Sequence, residues 1–384
     1  MLKINMFKYF AAASLGMMLC NANANANANA NANANDQAQA FSASNQVSVY
    51  FTSESYSHIL PIKQLAEDEW RTAPKHDADL AFSQNELGSE LIINNWSINP
   101  AYRVDYFVRT NPDTAYAFYT DRTDQAFEAP RTYDLALTLE ENRAKGLRLG
   151  YQWQNEQFFS HLKLGYWAII GARDSTLRGT LSQNSAGDLQ GNGQLTEHYT
   201  DNNFLKRPNV NGERWDDNGS GYTLDIALAW RVTSALLLRV DVQDLYSRFS
   251  LDDAGLSDGI IDTNNQYTRA SGITGFKPLY SGIETSRRHD YHVPKRVNLR
   301  VDYQMETIGI HGQLKTIGND EFYLLGASFS FAEQSRLTML VDVERATPQV
   351  MLETKWLDVT LALDKLKTES AYQLNLGVRL YYPF

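Results

Sequence analysis

Cysteine is nearly absent from this sequence, which has one, Cys20, in 384 residues. A disulfide framework is therefore excluded, and a fold that is closed by backbone hydrogen bonds does not need one. Basic residues are also in the minority, with 35 Lys and Arg against 45 Asp and Glu and a formal net charge of -10. Surfaces that bind phosphate backbones are usually strongly basic, so we expect no nucleic-acid partner.

Long apolar runs are missing as well. After the N-terminal leader, no stretch approaches the roughly 18 apolar residues that a membrane helix requires. The mean hydropathy is -0.42, which is polar overall. These features exclude helical membrane spans. Aromatic residues are instead abundant, at 12% of the chain, and they are compatible with a membrane protein built from strands.

The N-terminus has the features of an export signal. Lys3 and Lys8 form a basic start, and residues 9–19 form an apolar run that is too short to anchor the chain in a bilayer. Several Ala-Asn-Ala sites follow at once. We therefore predict a signal peptide over 1–20, cleaved within about 20–26.

The segment after the signal divides into two parts. Residues 21–44 are an Asn/Ala low-complexity stretch that cannot bury a core, so they are interpreted as a linker. Cys20 at the junction allows a lipoprotein interpretation, but Leu19 stands where a lipobox has a small residue. Residues 45–76 leave three alternatives open, namely a periplasmic extension, a lumen plug or an additional strand.

Apolar and polar residues alternate along most of the chain from residue 77 onward. At the C-terminus one face carries Tyr372, Leu374, Leu376, Val378, Leu380, Tyr382 and Phe384. This period of two is typical of strands with one lipid-facing and one water-facing side. It predicts an all-β transmembrane antiparallel barrel over 77–384, of about sixteen strands, with fourteen or eighteen as alternatives. The predicted strands are 77–86, 89–97, 101–109, 113–121, 132–140, 144–153, 157–170, 221–230, 233–244, 295–304, 306–315, 321–331, 335–344, 348–356, 357–364 and 371–384.

Connection lengths support this topology. If the last strand descends into the periplasm, the long inserts 171–220 and 245–294 both follow ascending strands and become extracellular loops. Short periplasmic turns are expected at 98–100, 155–156 and 332–334. The one longer connection predicted on the periplasmic side is 122–131.

Aromatic residues are predicted to form a girdle at the periplasmic rim, because such rings favour the membrane interface. Its members are Trp96, Phe118, Trp153, Trp230, Tyr303, Phe331, Trp356, Tyr382 and Phe384.

The last strand, which ends in residues 380–384, resembles that of bacterial outer-membrane β-barrel proteins of the porin kind. The resemblance implies recognition by the barrel assembly machinery, contact with outer-membrane lipid and lipopolysaccharide, and integral outer-membrane localisation with a periplasmic N-terminus. It does not identify a subfamily, and the sequence leaves the oligomeric state open.

Charged residues of both signs are predicted to line the lumen. They are Arg103, Asp105, Arg109, Arg148, Lys163, Asp225, Arg239, Asp241, Arg300, Asp302, Asp342 and Arg379. Such a wall favours a channel for passive or weakly selective passage of small hydrophilic solutes, ions included. The alternatives are a barrel for surface-ligand binding or polymer export that uses loops 171–220 and 245–294, and an outer-membrane hydrolase.

Two local motifs receive a weaker interpretation. Asp290 and His292, next to His289, could form an Asp-His pair, but no serine with a convincing motif accompanies them, so we predict no enzyme. Residues 216–221 match part of a calcium loop, yet Ala227 stands where a bidentate Glu is needed. We therefore expect no cofactor, with loop calcium as the alternative to ordinary turns.

Overall fold

The computed structural model describes residues 45–384, except 68, 129, 186–188, 202–217, 264–265, 269–273, 277–279, 306 and 333. The predicted signal peptide and Asn/Ala linker lie outside the described residues. No helix within the described ranges is long and apolar enough to cross a membrane.

Fourteen of the described strands close into one antiparallel barrel, because β1 (Gln46–Ser57) pairs with β18 (Gln373–Pro383) from Gln46 opposite Pro383 to Tyr56 opposite Gln373. The other barrel strands are β2 (Leu80–Ile93), β3 (Trp96–Thr110), β4 (Arg131–Gln154), β5 (Phe158–Gln183), β7 (Gly219–Arg231), β8 (Leu236–Asp262), β12 (Arg296–Met305), β13 (Ile308–Ile317), β14 (Asp320–Ala332), β15 (Ser335–Asp342), β16 (Pro348–Thr354) and β17 (Leu357–Leu363). Between β1 and β2 the backbone ladder is limited to Ser57 opposite Ala81, and side chains such as Ser53, which donates to Asn85 at 2.7 Å, join these two strands elsewhere.

Two further strands extend the wall beyond the barrel. β6 (Leu189–Tyr199) pairs with the distal halves of β5 and β8, and β11 (Tyr280–Tyr291) pairs with β8. A separate hairpin consists of β9 (Gln266–Thr268) and β10 (Thr274–Phe276). The helices are α1 (Ile62–Glu67) and α2 (Pro112–Arg122), and Thr368–Ser370 form one 3-10 turn.

The two ends of the barrel differ in their connections. At the turn end the strands are joined by two to four residues, as at 94–95, 155–157, 232–235 and 355–356. The longer connections 58–79 and 111–130 lie at the other end, here called the loop end, and so do the extensions β6 and β11. The barrel therefore has one flat rim and one elaborated rim.

The all-β closed antiparallel barrel is confirmed, but its strand count is fourteen rather than the expected sixteen. The predicted strands 132–140 and 144–153 are one strand, β4, which pairs with β3 in an unbroken register from Thr110 opposite Leu137 to Trp96 opposite Tyr151. The barrel also starts at Gln46 and not at residue 77, so the described part of the 45–76 segment includes a wall strand.

The strand predicted at 113–121 was wrong, because these residues lie in α2. The side chain of Asn111 accepts a hydrogen bond from the Thr114 amide at 2.9 Å, and Pro112 occupies the first turn of the helix. The turn predicted at 98–100 was also wrong, because these residues continue β3. Connection 122–131 consequently lies at the loop end and not at the predicted periplasmic side.

Side-chain burial alternates along the barrel strands. On β14, Leu325 and Phe329 point outward with 59% and 53% of their surface exposed, whereas Leu324 and Ser328 point inward and are buried. Polar inner neighbours bond to each other across strands, as Gln313 does in donating to Asn298 at 2.8 Å. The apolar surface is thus largely outside and the polar groups inside, the reverse of a soluble sandwich.

Candidate functional site

The lumen is closed near the loop end by apolar side chains, here called the mouth layer. Phe82 on β2 meets Phe322 on β14 with ring centroids 6.0 Å apart and planes at 88°. These strands are separated by five others around the wall, so the contact crosses the lumen. The layer consists of Tyr56, Leu80, Phe82, Phe107, Ile317, Phe322, Leu324, Leu340 and Met351.

Two arginines cover the mouth layer. The guanidinium of Arg345 lies 4.2 Å from the ring centroid of Phe322 and donates a hydrogen bond to the hydroxyl of Tyr56. Arg109 lies over the ring of Phe107 and forms an ion pair with Asp320 of β14. Both arginines pack against aromatic faces, so the mouth is held by cation–π contacts as well as by apolar packing.

Beneath one side of the mouth, Arg103 occupies the centre of an ion-pair cluster. It donates to both carboxylate oxygens of Asp244 at 2.8 Å each and to Asp105 at 2.7 Å. Arg296 donates to the same Asp244 at 3.0 Å. The ring of Trp167 lies 5.3 Å from the guanidinium of Arg103. A bidentate pair of this kind is strong and fixes the orientation of both partners.

Two further cationic groups bridge strands toward the turn end. Arg148 pairs with Glu86 of β2 and lies 3.3 Å from Asp225 of β7. Glu90 receives Lys163 at 2.6 Å and Arg379 at 3.4 Å, which connects β2 to β5 and β18. These contacts join strands that are separated by one or two others in the wall, so they brace neighbouring parts of the wall on its inner side.

A third group lies on the wall between β8 and β13. Asp302 accepts from Arg300 at 2.6 Å and lies 3.3 Å from Arg239. His311 bonds to Asp302 through Nδ1 and to the hydroxyl of Ser328 through Nε2 at 2.7 Å. In this group one carboxylate is shared by two guanidinium groups.

A polar cavity of about 280 Å³ extends from the mouth layer toward the turn end. Its wall includes Glu90, Lys163, Asp241, Asn298, Gln349 and Asn375. The volume is large enough for several water molecules or for one small polar solute.

The structure places all twelve predicted pore-lining residues on the inner side of the wall, most of them in the ion pairs described above. Sequence reasoning missed several partners of these residues. Glu86 and Glu90 are each followed by a leucine in β2, and this alternation could have predicted that both carboxylates face the lumen. Asp244 lies within a bulge of β8 opposite Asp225 that shifts the register, so alternation could not assign its direction.

Eight of the nine predicted girdle aromatics lie at the turn end, with exposures between 46% for Tyr303 and 64% for Trp96. Phe118 is the exception. It lies on α2 at the loop end, where its ring packs against Trp70 at 6.3 Å, so its assignment to the girdle was wrong.

The segment 289–292 does not form the Asp-His pair that the sequence allowed as an alternative to an ordinary loop. Asp290 accepts from Arg248 at 2.7 Å, and His292 bonds to the backbone carbonyl of Ser247. His289 instead bonds to Asp174 of β5 at 2.8 Å. Of the partial calcium motif, residues 216 and 217 lie outside the described residues, and Gly219 already belongs to β7.

A cluster that the sequence did not reveal lies on the wall extension at the loop end. Asp174 of β5 is the register partner of both Glu140 of β4 and His198 of β6. Burial, and then the charge of Asp174, raise the pKa of Glu140 to about 7. Burial, and then the neighbouring His289, lower the pKa of His198 to about 4. Glu140, Asp174, His198 and His289 come from four separate strands, so no local sequence motif indicates the cluster.

No family model matches the chain, and comparison with curated proteins found no match. Among solved structures, the P. putida toluene transporter TodX is similar with 10% identity and a TM-score of 0.41, covering 89% of this chain and 90% of that one. The Ralstonia pickettii toluene transporter TbuX has 9% identity, a TM-score of 0.33, and 90% coverage of each chain. The Escherichia coli outer membrane protease OmpT has 9% identity, a TM-score of 0.23, and 89% and 98% coverage. Such scores transfer neither a substrate nor an activity to this chain.

Proposed function

We propose that this chain is an integral barrel of the bacterial outer membrane and a channel for small hydrophilic solutes, described here in a closed conformation. The membrane location is supported by large apolar side chains that are exposed on many strands, among them Leu164, Ile310, Leu325, Met339 and Leu361. An apolar belt of this extent, bordered by an aromatic girdle, is what lipid requires.

In this proposal the turn end faces the periplasm and the loop end faces outward. Short turns on one side and elaborated connections on the other are the usual division in outer-membrane barrels. The C-terminal Phe384 lies at the turn end, where its amide donates to the Asn45 carbonyl at 3.0 Å. Assembly through the last strand and contact with lipopolysaccharide at the loop end belong to the same proposal.

The observation that carries the channel proposal is the polar cavity beneath the mouth layer. A barrel that served only as an anchor could fill its interior with apolar side chains, whereas this one keeps a cavity of about 280 Å³ lined by both charge signs. Mixed charge favours weak selectivity, because neither anions nor cations meet a uniform field. The mouth layer is then the barrier that must move for passage.

The test is conductance of the purified chain in planar bilayers. We expect little steady conductance for the wild type and an increase of about tenfold for the double variant Phe82→Ala/Phe322→Ala, because the two rings that meet across the lumen are removed. The matched control is Phe329→Ala/Phe331→Ala, which removes the same groups from the lipid side, where both rings are more than half exposed.

The control variant should conduct as the wild type does. If the Phe82/Phe322 variant is folded and still does not conduct, the channel proposal fails. That outcome would favour the second candidate, a barrel that presents a binding surface or assists polymer export. Its supporting observation is the wall extension formed by β6 and β11 at the loop end.

We propose no enzymatic role and no cofactor for the channel itself. Asp290 and His292 bond to different groups on the wall extension, and neither lies at the polar cavity. The oligomeric state is not part of the proposal.

A further inference from the structure

Four side chains with metal-binding capacity lie together on the wall extension, far from the polar cavity. Glu140, Asp174 and His198 form a row across β4, β5 and β6, since each is the register partner of the next. Register partners on one face have Cβ atoms about 4.5–5.5 Å apart. His289, from β11, joins this row without being a sequence neighbour of any member.

The donor atoms of three of these residues are close enough to share an ion. His289 Nε2 is 2.8 Å from Asp174 Oδ2, and one ligand atom from each of Asp174, His198 and His289 lies within 4.8 Å of the others. A zinc ion about 2.0–2.2 Å from each donor requires donors roughly 3–3.5 Å apart. The two imidazole rings are stacked, 3.7 Å between centroids and 8° between planes, so binding needs a rotation of one ring.

The cluster is also accessible to solvent, and its carboxylates supply the negative charge that attracts a cation. About a third of the Asp174 side chain and 16% of the His289 side chain are exposed, which leaves an entry path for a hydrated ion. Two carboxylates, Glu140 and Asp174, face each other across adjacent strands. Arg109 is a cationic neighbour of Glu140 and Arg287 of His198, and Arg109 is already paired with Asp320.

We propose that Asp174, His198 and His289 bind a divalent transition-metal ion of the zinc class, with Glu140 or water as the fourth ligand. Two imidazole nitrogens and one carboxylate oxygen suit zinc, copper or nickel, whereas calcium and magnesium prefer all-oxygen sites. The ion would tie β5, β6 and β11 together at the outer face of the protein. The proposal does not depend on the channel function.

The test is isothermal titration calorimetry of the intact chain in detergent, with zinc alone as the probe. We expect one equivalent for the wild type. His198→Ala and His289→Ala should each lower the affinity at least about tenfold, because each removes one of three protein ligands. Cobalt substitution should give the visible absorption of a four-coordinate nitrogen–oxygen site in the wild type, and this absorption should be lost in both variants.

Two control variants locate the binding. His292→Ala lies three positions from His289 on the same segment, and His58→Ala removes a histidine that pairs with Asp79 elsewhere on the loop end. Both should bind zinc as the wild type does. Unchanged affinity in the His198 and His289 variants, or loss of binding in the His58 variant, overturns the proposal.

A folding defect is separated from ligand loss with Asp174→Asn, which keeps the size of the side chain and its capacity to bond to His289. Heat-modifiable migration in gels establishes that each variant is a folded barrel. A folded Asp174→Asn protein with weakened zinc binding supports the site, and one that binds with wild-type affinity contradicts it.

Discussion

Asp244 combines an unusual backbone with a concentrated charge environment. Its φ of 54° lies in the left-handed region, its amide donates to Asp225 Oδ1 at 2.8 Å, and its carboxylate accepts from Arg103 and Arg296. A non-glycine residue pays for this conformation unless local hydrogen bonds compensate, and Asp and Asn do so best. The bulge therefore places one carboxylate in contact with two arginines, Arg103 and Arg296.

Asp244→Asn should destabilise the barrel by about 3–5 kcal/mol, because Arg296 loses its carboxylate partner and Arg103 keeps only Asp105, while the shape of the side chain is kept. Asparagine also tolerates positive φ, so backbone strain does not contribute. The measurement is urea unfolding in lipid vesicles. Asp253→Asn, on an exposed position of the same strand, is the control and should be neutral. A loss below about 1 kcal/mol for Asp244→Asn would show that the cluster is not electrostatically important.

The sequence could predict the residues of the lumen better than their partners. Alternation places Arg103, Arg148 and Arg379 on an inner face, and the structure has them there. Which carboxylate each one meets depends on the curvature and closure of the barrel, because Glu90 and Arg379 are at opposite ends of the chain yet 3.4 Å apart. Contacts of this kind have no local signal.

Among the elements, β1 was the hardest to assign from sequence. Its residues alternate only in part, and a plug, an extension and a strand were all compatible with them. In the structure β1 pairs with β18 along its length and meets β2 at Ser57 opposite Ala81. It is therefore a structural part of the wall.

A chain that begins at residue 58 should fail to form a heat-resistant barrel, because β18 would lose the partner that pairs with it along its length and would present an unpaired edge to lipid. A chain that begins at residue 45 keeps β1 and should refold in detergent as the full mature chain does. Far-ultraviolet circular dichroism and gel migration before and after heating distinguish the two. A folded barrel from the shorter chain would mean that β1 is dispensable, as a plug would be.

The errors in strand boundaries have two physical causes. The residues between the two strands predicted for β4, 141–143, are polar or charged and imitate a turn, yet β4 continues through them in unbroken register with β3. The start of α2 had a recognisable helix signal, Asn111 followed by Pro112, but the alternation of aromatic and small residues after it imitates a strand.

For the whole molecule, the exposed apolar belt makes a prediction that no soluble protein would satisfy. Leu325→Arg, near the middle of β14, should cost about 2–4 kcal/mol of unfolding free energy in lipid vesicles, the penalty for arginine at the bilayer midplane. Leu366→Arg, in the connection between β17 and β18 and 96% exposed, should change stability little. Equal effects at the two positions would contradict a membrane-embedded belt.

The pairing of β1 with β18 also has a consequence for biogenesis. Most pairs in the wall join strands that are neighbours in sequence, so they can form as local hairpins at small entropic cost. The final pair joins the first barrel strand to the last and must wait until synthesis and export of the whole chain are complete. Until then the nascent chain carries two open edges, which are templates for aggregation. This interval is when the incomplete wall is most exposed to aggregation.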